Sequence, residues 1–333
     1  MNGNFKKTNR NKPEQYTGTH PEHILEYNER LLRTDKPQNK TSLDITGVQW
    51  YPGHMKKTER LISKNLPLVD LVVEICDARI PKSSRNRMLD TILGQKQRIL
   101  LLNKSDMADY DATRSWLEYY KKLSIPAQAA DCKSGKGTGA ILPLIKQTLA
   151  DTKLKFSTEN FGGIIRIMAV GVPNSGKSSF INCLAGKKST KVEDRPGVTR
   201  GKQWISVGDN VQLLDMPGIL APKYNDPAAA EKLAFTGAVK DAVVNTELLA
   251  MRLLELLYDK YPSSLKNRYK LTVDFAAENE QEPLGYSLLT KIGKNRGMLI
   301  SKGEVDTERA AIMLLDEFRS GLLGKITLEH PHA

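Results

Sequence analysis

The chain has 333 residues, 40% of them hydrophobic, with 50 basic against 38 acidic side chains and a net charge of +12. That length suffices for two domains with cores of their own, and with no apolar run of about 18 residues it predicts no membrane-spanning helix. Cys76, Cys132 and Cys183 stand far apart, without CxxC spacing or a neighbouring His, which excludes a disulfide framework or zinc site and predicts buried free thiols in a reducing compartment.

Residues 1–48 come first and are polar, rich in Asn, Lys and Thr, with one predicted helix over 21–33 and partial disorder expected around it. The opening MNGNFKKTNRNK has no apolar core of a secretory signal. The acidic Glu14, Glu22, Glu26 and Glu29 argue against a transit peptide, so a bacterial cytoplasm is expected over a mitochondrion. Residues 49–222 alternate strands and helices, as a parallel sheet covered on both faces requires. Helices are predicted over 55–65, 113–123, 141–149 and 179–185, and strands over 98–102, 164–170 and 211–214. Residues 223–333 read as helical, over 228–239, 246–258 and 306–322. In the last of these Ala310, Ile312 to Leu315, Phe318 and Leu322 form the expected apolar face. His330 and His332 are expected in a frayed tail.

Charge follows the same division. Residues 1–60 hold 11 basic and 7 acidic side chains, residues 61–220 hold 24 and 15, and residues 221–333 hold 15 and 16. A basic front two-thirds fits either a polyanionic partner or a merely solubilising surface. With only 6% aromatic residues, stacking on single-stranded nucleic acid is not the expected mode.

Five motifs carry chemistry. The apolar strand over 164–170 runs into Gly171-Val172-Pro173-Asn174-Ser175-Gly176-Lys177-Ser178, a GxxxxGK[ST] phosphate loop. Its glycines let backbone N–H groups curl around phosphates, Lys177 reaches the outer phosphate oxygens, Ser178 offers a hydroxyl to Mg²⁺, and the helix from Ser179 turns its positive end to the anion. Asp215-Met216-Pro217-Gly218 ends the strand over 211–214, placing a carboxylate for a water-mediated Mg²⁺ contact and a glycine N–H for a γ-phosphate. Asn103-Lys104-Ser105-Asp106 follows the strand over 98–102. There Asp106 can accept from N1–H and the 2-amino group of guanine, Asn103 can meet the N7 edge, and the stem of Lys104 can cover the ring; adenine offers neither donor to Asp106. Ala130-Asp131-Cys132-Lys133 stands where a further base loop, usually Ser-Ala-Lys, presents backbone N–H groups to guanine O6. Between them Arg195-Pro196-Gly197-Val198-Thr199-Arg200-Gly201 has the turn-rich composition of a switch loop. Thr199 is its candidate for Mg²⁺ and the γ-phosphate, or simply a turn residue. The base-reading motif precedes the phosphate loop, the reverse of the ordinary order, which implies a circularly permuted nucleotide domain.

Trp50-Tyr51-Pro52-Gly53-His54-Met55 and Asp77-Ala78-Arg79-Ile80-Pro81, with the motifs above and Arg309-Ala310-Ala311, Asp316-Glu317-Phe318-Arg319-Ser320-Gly321 and Leu323-Gly324, resemble the RbgA/YlqF family of circularly permuted ribosome-assembly GTPases. The likeness runs from about residue 49 to 329. It implies an α/β circularly permuted P-loop GTPase domain at 49–222 and an all-α C-terminal domain at 223–333 that docks on ribosome or RNA. It also implies GTP and GDP as ligands with Mg²⁺, a monomer, and a large ribosomal subunit precursor (rRNA and ribosomal proteins) as partner. Hydrolysis is expected to be slow alone and ribosome-stimulated. Ile219 follows Gly218 and cannot orient a water; the resemblance offers His54 instead, though from residues alone His54 equally fits a turn cap. Asn174 resembles the asparagine that helps hold K⁺ in potassium-activated GTPases. A GTP-dependent RNA-binding placeholder with incidental hydrolysis is the alternative reading.

Overall fold

The computed structural model describes residues 52–150, 163–186, 204–208, 210–218, 226–271 and 282–331, the side chains of 52–56 excepted. The expected helix over 21–33, the disorder of 1–48, the switch loop and Thr199 lie outside the described residues. The described residues belong to one compact unit.

Among the described residues six strands form one sheet in the spatial order β3-β2-β1-β4-β6-β5. They are β1 (Leu71–Asp77), β2 (Gln97–Asn103), β3 (Ala127–Ala130), β4 (Ile165–Gly171), β5 (Trp204–Val207) and β6 (Val211–Asp215). All pairings are parallel except β5 on β6, an antiparallel edge that the purely parallel expectation did not include. Three strands, β1, β3 and β5, were not individually predicted. In β1 the fully buried Glu74 interrupts an apolar run; its carboxylate accepts from Asn86 N–H at 2.9 Å and from Arg98 at 3.3 Å. The strands β3 and β5 have four residues each, too short for a periodic signal.

The sheet is covered on both faces by α1 (Pro52–Asn65), α2 (Met88–Leu93), α3 (Tyr110–Lys122), α4 (Ile141–Ala150) and α5 (Lys177–Ala185). Side-chain alternation along β1 serves both layers. Leu71, Val73 and Ile75 pack with Ile141, Ile145 and Phe180 of α4 and α5. Val72 packs with Ile62 and Leu89, while Cys76 meets Trp116 and Tyr120 of α3. From β1 the chain steps outward through β2 to β3, and from β4 it steps the other way to β6 and β5. The adjacent carboxyl ends of β1 and β4 therefore form a topological switch point, where open α/β sheets bind ligands. Were the chain to begin at β4, it would be an ordinary doubly wound domain.

The C-terminal helices are α6 (Pro227–Phe235), α7 (Thr246–Lys260), α8 (Pro262–Tyr269), α9 (Leu284–Asn295) and α10 (Thr307–Arg319). Their shared core, Leu233, Leu253, Leu254, Leu288, Leu314 and Phe318 among others, also takes in Ile80 and the phosphate-loop residue Val172. Two details correct the sequence reading. α6 stops at Phe235 rather than 239, because Gly237 adopts φ +72° and the Gly237 and Ala238 N–H groups turn back onto Ala234 and Leu233 carbonyls at 3.0 and 2.9 Å. α10 ends at Arg319, and Ile312 and Leu322 are exposed while Ala311 is buried, since the 3.6-residue period and the Gly321 turn carry those two side chains off the core face. The tail is not frayed up to residue 329: Leu328 N–H donates to the Arg79 carbonyl at 2.8 Å, and Glu329 is buried, accepting from Lys82 N–H at 2.7 Å and Ser83 N–H at 3.0 Å. His330 itself is exposed. All three cysteines are free, but Cys183 is only partly buried.

Candidate nucleotide site

The carboxyl ends of β1, β2, β4 and β6 bring Asp77, Asn103, Gly171 and Asp215 to one edge of the sheet. Beside them lies a cavity of about 590 Å³ lined by Lys104, Val172, Pro173, Asn174, Gly176, Lys177, Ser178, Ser179, Gly218, Thr236 and Arg319. Seven of these come from the phosphate loop and the start of α5, and two from the C-terminal helices.

Asn103 ties the site together. Its Nδ2 donates to the carbonyls of Ser175 at 2.9 Å and Gly176 at 3.4 Å, and its Oδ1 accepts from Cys132 N–H at 3.1 Å. The side chain is 2% exposed. The N7 role expected of Asn103 therefore competes with protein partners already engaged, and the amide acts as a brace between the phosphate loop and the loop after β3. Gly176 is the counterpart of that brace. It sits at φ +89°, and a Cβ there would lie 2.1 Å from Asn103 Nδ2. No other residue fits both the backbone and the space.

The loop after β3 is held by Asp131, whose Oδ1 accepts from Lys133 N–H at 2.8 Å and Ser134 N–H at 3.3 Å. Burial works against its ionisation, but these hydrogen bonds outweigh it and hold the carboxyl below its usual range. The Cys132 and Lys133 N–H groups that were expected to face guanine O6 are thus both used within the protein. Burial pushes the Cys132 thiol up to about 12, so it is no nucleophile. Asp106, the carboxylate expected to read the guanine edge, is exposed. Lys104, at φ +60°, reaches across to the β1 carboxylate Asp77 at 2.9 Å.

Asp77 has a second cation. Arg79 donates to it from Nε at 3.0 Å and from a terminal nitrogen at 2.8 Å. Burial pushes the Asp77 carboxyl up, but the charges of Arg79 and Lys104 prevail and hold it well below the usual carboxylate range. On the phosphate side Lys177 Nζ pairs with Asp215 at 2.6 Å, Ser178 is exposed, and Ser175 is buried with an unpartnered Oγ. Asn174, at φ +60°, donates from Nδ2 to the Gly237 carbonyl at 3.0 Å, which leaves its Oδ1 as the atom for a cation. Gly218 packs its Cα side against Pro173. The backbone of His54 lies in the first turn of α1; its side chain is outside the described residues.

The sequence reading missed Arg79 as a bridge, Thr236 and Arg319 as cavity walls, and Asp77 as partner of Lys104. The Asp77-Ala78-Arg79 and Asp316 to Gly321 motifs were visible, but nothing local in them shows what they touch.

Residues 166–274 match the family described as 50S ribosome-binding GTPase. Over 289 residues the chain is 45% identical to the ribosome biogenesis GTPase A of Priestia megaterium, covering 85% of this chain and 97% of that protein. It is 31% identical over 298 residues to mitochondrial ribosome-associated GTPase 1 of Xenopus tropicalis, covering 85% and 94%. Among solved structures, GNP-bound YlqF from T. maritima matches with a TM-score of 0.59 at 28% identity, covering 83% of this chain and 99% of that one.

Proposed function

The chain belongs to the ribosome biogenesis GTPase A family, and on that premise we propose how its nucleotide site serves as a switch in subunit assembly. The protein is a GTPase that binds and hydrolyses GTP in assembly of the large ribosomal subunit. Its partner is a ribosomal subunit; the finer reading is that it binds a precursor of the large subunit as a monomer, in a bacterial cytoplasm. No helix among the described residues is long and apolar enough to cross a membrane.

The observation that carries the mechanism is the brace made by Asn103, which makes the base-reading and phosphate-binding halves one rigid cradle. Asp106 reads the guanine edge and Lys104, steadied by Asp77, covers the ring. Lys177 meets the outer phosphates, and the Gly218 N–H meets the γ-phosphate, so charge developing on that group is stabilised by donors fixed beforehand. The hydroxyl of Ser178 and the carboxylate of Asp215 are hard oxygen donors that fit Mg²⁺, with Thr199 as a third. No group of three or more His, Cys, Asp or Glu among the described residues is placed to hold a metal ion by itself, and Mg²⁺ at a phosphate site needs no more than one or two carboxylates. The bound ion would neutralise phosphate charge. His54 orients the attacking water in this reading, and Asn174 Oδ1 helps hold K⁺.

Single-turnover GTP hydrolysis with and without large-subunit precursor tests it. Slow turnover alone and marked acceleration by the precursor are expected; an unchanged rate would favour the placeholder reading, in which bound GTP matters and hydrolysis is incidental. The observation favouring that second reading is Ile219, an apolar residue directly after Gly218.

A further inference from the structure

Each cation lining the nucleotide cavity has a carboxylate partner. Lys104 pairs with Asp77, Lys177 with Asp215, and Arg319 with Asp241. The three pairs differ in how firmly the carboxylate is held. The side chain of Asp77 is 2% exposed, that of Asp215 is 35% exposed, and that of Asp241 is 47% exposed. Exposed ion pairs contribute little, so Asp241 is the partner that gives way at lowest cost.

Arg319 is the last residue of α10, part of the C-terminal helices rather than the GTPase sheet. Its Nε and one terminal nitrogen donate to the Phe235 and Ala234 carbonyls at 3.2 and 3.0 Å, holding one edge of the guanidinium at the end of α6. Its two terminal nitrogens grip Asp241 at 2.7 Å each, in the fork geometry that also suits a phosphate. The neighbouring Gly237 carbonyl accepts from Asn174 of the phosphate loop, so this corner of the C-terminal helices is seated on the loop itself. Arg319 lines the same cavity as Gly218, whose N–H is the expected γ-phosphate donor.

We propose that Arg319 is a phosphate-binding residue of the GTPase site: its guanidinium exchanges Asp241 for the outermost phosphate of a nucleoside triphosphate. Asp241 is then a competitor that lowers affinity for the triphosphate. The C-terminal helices thereby take part in telling tri- from diphosphate. The inference rests on the GTP-site reading above and deepens it.

The test uses the full chain with Mg²⁺, titrated with GDP and with a non-hydrolysable imido analogue of GTP. Arg319→Gln should weaken the analogue about tenfold or more while changing GDP less than twofold, the cost of a lost charge-assisted pair falling on one ligand only. Arg319→Lys should recover part of the loss. Asp241→Asn should strengthen the analogue several-fold and leave GDP unchanged. Because Asp241 is exposed, that variant answers even if Arg319→Gln destabilises the helices. A merely structural role in capping α6 predicts the opposite: equal losses for both nucleotides in Arg319→Gln, or weaker analogue binding in Asp241→Asn. Either result overturns the proposal. If the unmodified chain bound neither nucleotide, the GTP-site reading would fail first, and this inference with it.

Discussion

Arg79 donates to the main-chain carbonyl of Phe318 at 2.9 Å, and its guanidinium lies 5.0 Å above the centre of the same residue's ring. The other side of the guanidinium grips Asp77, so one 1%-exposed side chain joins the carboxyl end of β1 to the carboxyl end of α10. It caps a helix terminus with positive charge and neutralises a buried carboxylate at once.

Replacing Arg79 with Ala should therefore destabilise the protein by about 3–5 kcal/mol, the usual cost of leaving one member of a buried pair alone. The loss should shrink in acid. Asp77 has a lowered pKa, so its contribution is complete above its ordinary value of 3.8 and is lost as pH falls through the folded value below that. Without Arg79 the folded pKa rises, so the variant loses less stability than the parent as pH falls through this range and the two stability curves converge. Denaturant melts of both proteins between neutral pH and pH 2 check this; parallel pH profiles would contradict it.

Gly176→Ala places a methyl where the Asn103 amide now sits and demands a left-handed backbone from a residue that resists it. Strain of about 1–3 kcal/mol, with the loss of the Asn103 hydrogen bonds, should weaken guanine nucleotide binding roughly 10- to 100-fold. The far-ultraviolet spectrum should be unchanged. Fluorescent GDP titration gives the number, and affinity within twofold of the parent would show that the brace is dispensable.

Asp106→Asn exchanges an acceptor for a group that can donate to a carbonyl at the purine 2-position. GTP affinity should fall by about two orders of magnitude or more, as expected when a site built for a donor loses its acceptor. Xanthosine triphosphate, which carries that carbonyl, should bind better than GTP. Competition between the two nucleotides decides it, and a retained preference for GTP would move base recognition away from Asp106.

His54→Ala should lower precursor-stimulated hydrolysis at least about 100-fold while nucleotide affinity stays within twofold, the range typical of a lost water-positioning or acid–base group. Hydrolysis should also be faster in KCl than in NaCl if Asn174 helps hold K⁺, and Asn174→Ala should erase that difference. Equal rates in both salts would remove the monovalent cation from the mechanism.

Val172, one residue into the phosphate loop, is buried in the core of the C-terminal helices. Loading the site with a GTP analogue instead of GDP should change hydrogen exchange within residues 225–330, most at the end of α6 and the start of α7. Identical exchange in both states would separate the helices from the nucleotide.

Much of the nucleotide site was legible because its motifs are local. A phosphate loop is eight consecutive residues between a strand and a helix, and both its glycines and its Lys177 have requirements that show in the sequence. The reversed motif order likewise implied permutation, since the strands must still meet at one sheet edge. The strand β1 was less legible, because Glu74 is buried only by virtue of Arg85, Arg98 and Asn86 around it. Ile312 was misread because it lies off the 3.6-residue stripe of Ala310, Ala311, Leu314, Leu315 and Phe318, and Leu322 because a helical stripe does not show where the helix stops.

By itself, then, the sequence determined the guanine and phosphate motifs, their order and the helical character of the C-terminal third, all set by neighbours a few residues apart. Only the tertiary structure decided that Asn103 braces the phosphate loop, that Arg79 bridges to Phe318 across 239 positions, and that Arg319 and Thr236 wall the cavity. Those contacts depend on helix ends such as the Gly237 turn, where a single left-handed residue halts α6 and sets its carbonyl against Asn174. Long-range polar pairing leaves no period in the chain; it exists only once burial has made every charge find a partner.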